Sequence, residues 1–175
     1  MKRSSLGSLA ILLALALGGC GGKDEDQAKT EEQSVVATQS DADIPTWLSP
    51  TDAMDTGRWL ASREAGRPMA NDDAASAQMR RSLGQAQAFF IEDPRMIANR
   101  TVQLGQMLGE AGKTERYEDL LEGLTNVARG AKGRQLYGEM CQHYFNTRQQ
   151  GDEPAAAFAK LAERYGAQRD GETKP

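Results

Sequence analysis

The chain has 175 residues with 21 Lys and Arg against 25 Asp and Glu, a formal charge of −4, and a single histidine. That length suits one domain with a substantial core plus a tail, so several domains are not required. The acidic balance argues against a nucleic-acid-binding surface, and one histidine argues against a zinc centre. At the start of the chain, Lys2 and Arg3 precede an apolar stretch at 6–17, about a dozen residues and too short to span a bilayer as a helix. Charge, apolar run and the small residues Gly18 and Gly19 follow one another in the layout of a secretory signal peptide.

The tetrad Leu17-Gly18-Gly19-Cys20 resembles the lipobox of bacterial lipoproteins. The resemblance implies that residues 1–19 are removed and that Cys20 is diacylated and then usually acylated on its new amine. One acyl chain holds a protein only marginally, so two or three are needed for stable anchoring. In that family an Asp after the lipidated Cys favours the inner membrane; Gly21 stands here, which implies an outer-membrane anchor facing the periplasm. The membrane, reached through lipidated Cys20, is thus one expected partner.

Residues 21–43 contain seven acids against Lys23 and Lys29, no aromatic residue and one small apolar cluster at Val35-Val36-Ala37. So little apolar surface does not offset the entropy of ordering the backbone, so the segment 20–43 is expected to be a disordered acidic linker after the lipidated cysteine. As a flexible coil it would give the domain a reach of about 25 Å from its anchor. The rest of the chain, from residue 44, is nearly neutral, so the acidity belongs to the leash and not to a binding face.

From residue 44 the punctuation predicts an all-α domain over 44–168, with a short disordered tail at 169–175. Ser49-Pro50 reads as a cap plus first-turn proline opening a helix through Trp59 and Leu60 that ends near Gly66. Asn71 to Asp73 offer caps for a second helix carrying Met79, Leu83, Ala86 and Phe90 at helical spacing. Asp93-Pro94 opens a third, with Ile97, Thr101, Leu104 and Leu108 on one stripe and a stop near Gly112. Thr114 is the cap candidate for the fourth, whose Tyr117, Leu120, Leu121, Leu124, Val127 and Ala128 form the cleanest apolar face. The fifth buries Leu136, Tyr137, Met140, Cys141 and Tyr144, and the sixth, after Pro154, carries Phe158, Leu161, Ala162 and Tyr165. The short breaks at 111–114 and 130–133 predict antiparallel neighbours.

Two hairpins look alike: Leu104-Gly105 and Leu108 lead through a turn to Tyr117, Leu121 and Leu124, and Met140-Cys141 and Tyr144, 36 residues on from the first three, lead to Phe158 and Leu161. Leu104, Gly105 and Leu108 are similar to the first-helix motif of tetratricopeptide repeats, although Thr101 stands where that motif has an aromatic. The resemblance implies tetratricopeptide-like hairpins; an irregular helical bundle would bury the same stripes.

Residues able to carry chemistry are scarce, and no cofactor is expected. With Cys20 lipidated, Cys141 is the one free thiol and reads as a small packed hydrophobe. His143 lies two residues on, on a different side of the helix, so the two cannot readily share a metal. The acidic pairs Asp72-Asp73, Glu92-Asp93 and Asp152-Glu153 fall at helix starts, where the helix dipole favours them. No phosphate loop or nucleophile elbow occurs. Arg100 and Gln103 lie off the apolar stripe, and adjacent Phe89 and Phe90 cannot both point fully the same way on a helix, so Arg100, Gln103 and Phe89 are the candidate partner contacts, with burial under Trp47-Leu48 the alternative for the aromatics. The expected function is that of an adaptor or assembly factor binding another envelope protein, not an enzyme. The alternatives are a periplasmic enzyme or regulatory subunit acting on cell wall or a small metabolite, and a structural lipoprotein with no single partner.

Overall fold

The computed structural model describes residues 44–170, with side chains as far as residue 166. The lipobox, Cys20, the acidic linker and residues 171–175 lie outside the described residues. Six helices follow in order: α1 (Thr56–Ala65), α2 (Ala74–Ala86), α3 (Pro94–Glu110), α4 (Tyr117–Arg129), α5 (Tyr137–Gln149) and α6 (Pro154–Asp170). The domain is all-α, as the periodicity predicts. The β feature among the described residues is one isolated parallel bridge between Phe90 and Gln135. None of the described helices is long and apolar enough to cross a membrane.

Three starts follow the expected cap chemistry. Asp73 accepts from the Ala75 N–H at 2.8 Å, Asp93 from the Met96 N–H at 2.8 Å, and Pro94 fills the first turn of α3, where no intrahelical partner is needed for a backbone N–H. Pro154 likewise opens α6, which runs to Asp170, two residues into the predicted tail. Two starts differ from the sequence reading. Ser49-Pro50 does not open α1: the Asp52 N–H donates to the Ser49 carbonyl at 3.1 Å and the Asp52 carboxylate accepts from the Ser49 N–H, so Pro50 sits second in a closed turn. The helix starts later, where Asp55 accepts from the Arg58 N–H at 2.8 Å. Thr114 does not cap α4 either, because the helix starts three residues after it, with Arg116 in the cap position.

Packing arranges the helices in two rows. Successive odd helices α1, α3 and α5 are neighbours in one, successive even helices α2, α4 and α6 in the other, and α1–α2, α3–α4 and α5–α6 close as hairpins. The expectation that the 130–133 break makes α4 and α5 close neighbours is corrected: they touch only slightly, since residues 130–136 carry the chain from one row to the other. Backbone bonds from Ile91 N–H to the Gln135 carbonyl and from Gln135 N–H to the Phe89 carbonyl, at 3.0 and 2.8 Å, pin that crossing. The stack does not show tetratricopeptide repeats. The odd helices begin at 56, 94 and 137, spacings of 38 and 43 residues, against the repeat's period of about 34.

The predicted stripes form the core with two corrections: Leu136, in the cap position before α5, is 49 % exposed, and Ala162 is exposed on α6 while Ala157 is buried instead. Ile97, Leu104, Leu108, Leu120, Leu121, Leu124, Met140 and Tyr144 are fully enclosed, and Trp59, Leu60 and Phe90 join them. Phe90 lies beyond the end of α2 and meets Tyr137 edge-on at 4.7 Å. Gly105 lets α3 and α4 approach, since a Cβ there would collide with the Tyr117 ring.

Candidate functional site

The side-by-side course of α3 and α5 leaves a small groove at the surface. Below the surface, Thr101 Oγ1 and Tyr137 Oη lie 2.7 Å apart, both buried, which sets the register of the two helices. That bond joins positions 36 residues apart, the same offset that relates the two similar hairpins in the sequence. Above it, Arg100, Gln103, Leu104, Met107, Cys141 and Gln142 line an open groove of about 90 Å³ beside Gly138. Its floor is apolar, from buried Leu104 and Cys141 and half-buried Met107; its rim is polar, from Arg100 and the exposed amides Gln103 and Gln142. Arg100 Nη1 donates to Gln103 Oε1 at 2.7 Å.

At the head of the groove, α5 begins with Leu136 in the cap position; its carbonyl accepts from the Met140 N–H at 3.2 Å, but its side chain has no acceptor for the N–H groups of the first turn. Glu92, just before α3, supplies the missing acceptor: its carboxylate takes the Tyr137 and Gly138 N–H groups at 2.9 and 3.0 Å. The same device opens α4, where Glu64 of α1 accepts from the Tyr117 N–H at 2.8 Å, with Arg116 3.7 Å from it. Burial pushes the Glu64 carboxyl above its ordinary value, against the pull of the Tyr117 N–H and Arg116.

Of the sequence-predicted partner residues, the structure brings Arg100 and Gln103 together and leaves Phe89 elsewhere. Phe89 is half-buried on the core, with the Arg129 guanidinium 5.4 Å from its ring centroid, on the side of α2 and α4. Phe90 is fully buried, while of the Trp47-Leu48 pair Leu48 is enclosed and Trp47 is 45 % exposed. Cys141 is buried and unpaired, and burial pushes its thiol far above the ordinary range, so it stays neutral. His143 Nδ1 and Tyr165 Oη share a hydrogen bond of 2.7 Å. No group of three His, Cys, Asp or Glu among the described residues is placed to hold a metal ion.

Sequence reasoning did not single out Asn99, Glu115 or Arg148. Buried Asn99 clamps the entry segment by accepting from the Leu48 N–H and donating to the Leu48 carbonyl, both at 2.9 Å. Glu115 takes Arg148 Nε and Tyr144 Oη, both at 2.6 Å, with the ionic side chains only 6 % and 9 % exposed. Arg148 also donates to the Asp152 carbonyl, so one buried network ties the α3–α4 turn to α5 and the α5–α6 turn. No local pattern marks these groups, since Asn99 meets Leu48 across 51 residues and Glu115 meets Tyr144 and Arg148 across 29 and 33.

A broader depression of about 350 Å³ between α5 and α6 is lined by His143, Thr147, Lys160 and Arg164, among others. Its lysine is already held by both oxygens of Asp152, at 2.8 and 2.7 Å. The α3–α5 groove is far smaller than the roughly 300–1,000 Å³ of small-molecule sites, and suits a side chain better than a metabolite.

No curated protein and no solved structure matches the chain. A family model, MoxZ, matches residues 57–166, a span that runs from the first turn of α1 into α6 and therefore includes both walls of the groove. With well over half of its 175 residues in that match, the chain belongs to the MoxZ family.

Proposed function

We propose that this protein is a lipid-anchored accessory factor that binds another envelope protein through the α3–α5 groove. The observation that carries the reading is the groove itself: an apolar floor with a rim of one arginine and two amides, sized for a side chain of a docked segment. Function then follows from local concentration. Lipid on Cys20 would confine the domain to the outer membrane, the acidic linker would give it reach, and both raise the effective concentration of domain and partner. The association of MoxZ with a methanol oxidation system fits an accessory role and makes proteins of such a system the first partners to test.

The test is affinity capture from intact membranes with the native chain beside Arg100→Ala/Gln103→Ala. Recovery of one defined envelope protein by the native chain and its loss in the double variant is the expected result. Equal recovery by both would remove the groove from the mechanism.

A further inference from the structure

We propose that the groove selects its partner segment through an acidic side chain, received by Arg100, with an apolar neighbour seated on the floor beside it. The inference rests on the groove being the docking surface and names the chemistry of what docks there. Its basis is charge complementarity. Arg100 is half-buried on the groove wall, and its Nη1 donates to a neutral amide oxygen of Gln103. The carboxylate close by, Glu92, has one oxygen on the Tyr137 N–H and the other on the Gly138 N–H. Both of its oxygens are therefore engaged at the first turn of α5, where the helix dipole favours the charge, and an incoming acid would approach Arg100 from the Gln103 side, away from Glu92.

A guanidinium presents five donors in a planar fork that fits a carboxylate with two parallel bonds. An incoming Asp or Glu would replace the neutral Gln103 acceptor with a charged one, in surroundings partly shielded from water. A basic side chain would meet Arg100 and be repelled. Below the rim, Leu104 and the neutral thiol of Cys141 are only 1 % and 7 % exposed and Met107 is half-buried, so the floor offers a small apolar contact and no partner for charge. Gly138 keeps the space open: a Cβ there would lie 3.7 Å from Arg100 Nε and 3.8 Å from Glu92 Oε1, so a methyl fits and a longer side chain would fill the groove.

A displayed library of random twelve-residue peptides, selected on the full chain, tests this with three variants of matched thermal stability: Arg100→Glu, Gln103→Glu and Gly138→Leu. Gln103→Glu changes an exposed residue and places a competing carboxylate one helical turn from Arg100. The expected result is a binder pool enriched in Asp and Glu beside aliphatic residues, weakened roughly tenfold or more by Arg100→Glu. Gln103→Glu should weaken the same pool, and selection on Arg100→Glu should favour Lys and Arg. Binders blocked by Gly138→Leu but without acid enrichment, and indifferent to Arg100→Glu, would overturn the acidic-anchor inference and leave groove docking intact. Binders indifferent to all three variants, or none at all, would overturn both.

Discussion

Two glutamates act as helix caps from outside their helices. Removing the Glu92 carboxylate leaves the Tyr137 and Gly138 N–H groups without their acceptor, so Glu92→Ala should cost about 1 kcal/mol, in the range of ordinary cap losses. Chemical denaturation measures it, and Glu92→Gln should recover part of the loss. Glu64 adds a pH dependence. Its folded carboxyl is raised above the ordinary 4.5, so the protonated form is favoured by folding. Its contribution is fully present below the unfolded value and is lost as pH rises through the folded one. Glu64→Gln keeps an acceptor for the Tyr117 N–H without the buried charge. The variant should therefore gain stability relative to the native chain between pH 4 and pH 7, read from denaturant midpoints at both; a constant difference would contradict the assignment.

Between elements, the Glu115–Arg148 pair holds two turns to α5. Both side chains are nearly enclosed, so Arg148→Met strands a buried carboxylate and should destabilise by about 3 kcal/mol. Adding Glu115→Gln should recover part of that loss in the double variant, because the stranded charge is then gone. Gly123 gives a second test: a Cβ there would overlap the Phe158 ring between α4 and α6, so Gly123→Ala should cost roughly 1–3 kcal/mol despite alanine's better helix propensity. Thermal melting checks both. At this scale much was legible, because stripes such as Leu120, Leu121 and Leu124 report burial directly, and Asp73 and Asp93 cap the helices they precede. The start of α1 was misread because Ser-Pro serves turns and caps alike, and Asp52 closed the turn. Glu64, Glu92 and Asn99 were not legible because each acts across 45 to 53 residues of sequence, a separation no local pattern encodes. Arg100 and Gln103 lie off the apolar stripe of their helix and meet on the groove rim, whereas Phe89 lies half-buried on the core beneath Arg129.

For the whole molecule, the proposed function needs both the α3–α5 groove of the two-row helical stack and a lipid at Cys20. Cys20→Ser should move the protein from the membrane fraction to the soluble fraction without changing the melting temperature of the helical domain, because the anchor and the core lie in separate segments. A variant that still labels with palmitate would contradict the lipobox reading. The groove is tested most directly by placing a photo-crosslinking residue at Gln142, on its rim, or at Gln85, exposed on the α2 side, and irradiating intact cells. The predicted result is a discrete crosslinked partner from position 142, none from position 85, and loss of the product when Gly138→Leu is added. Crosslinking from position 85 alone, or equally from both, would contradict the α3–α5 groove as the docking surface.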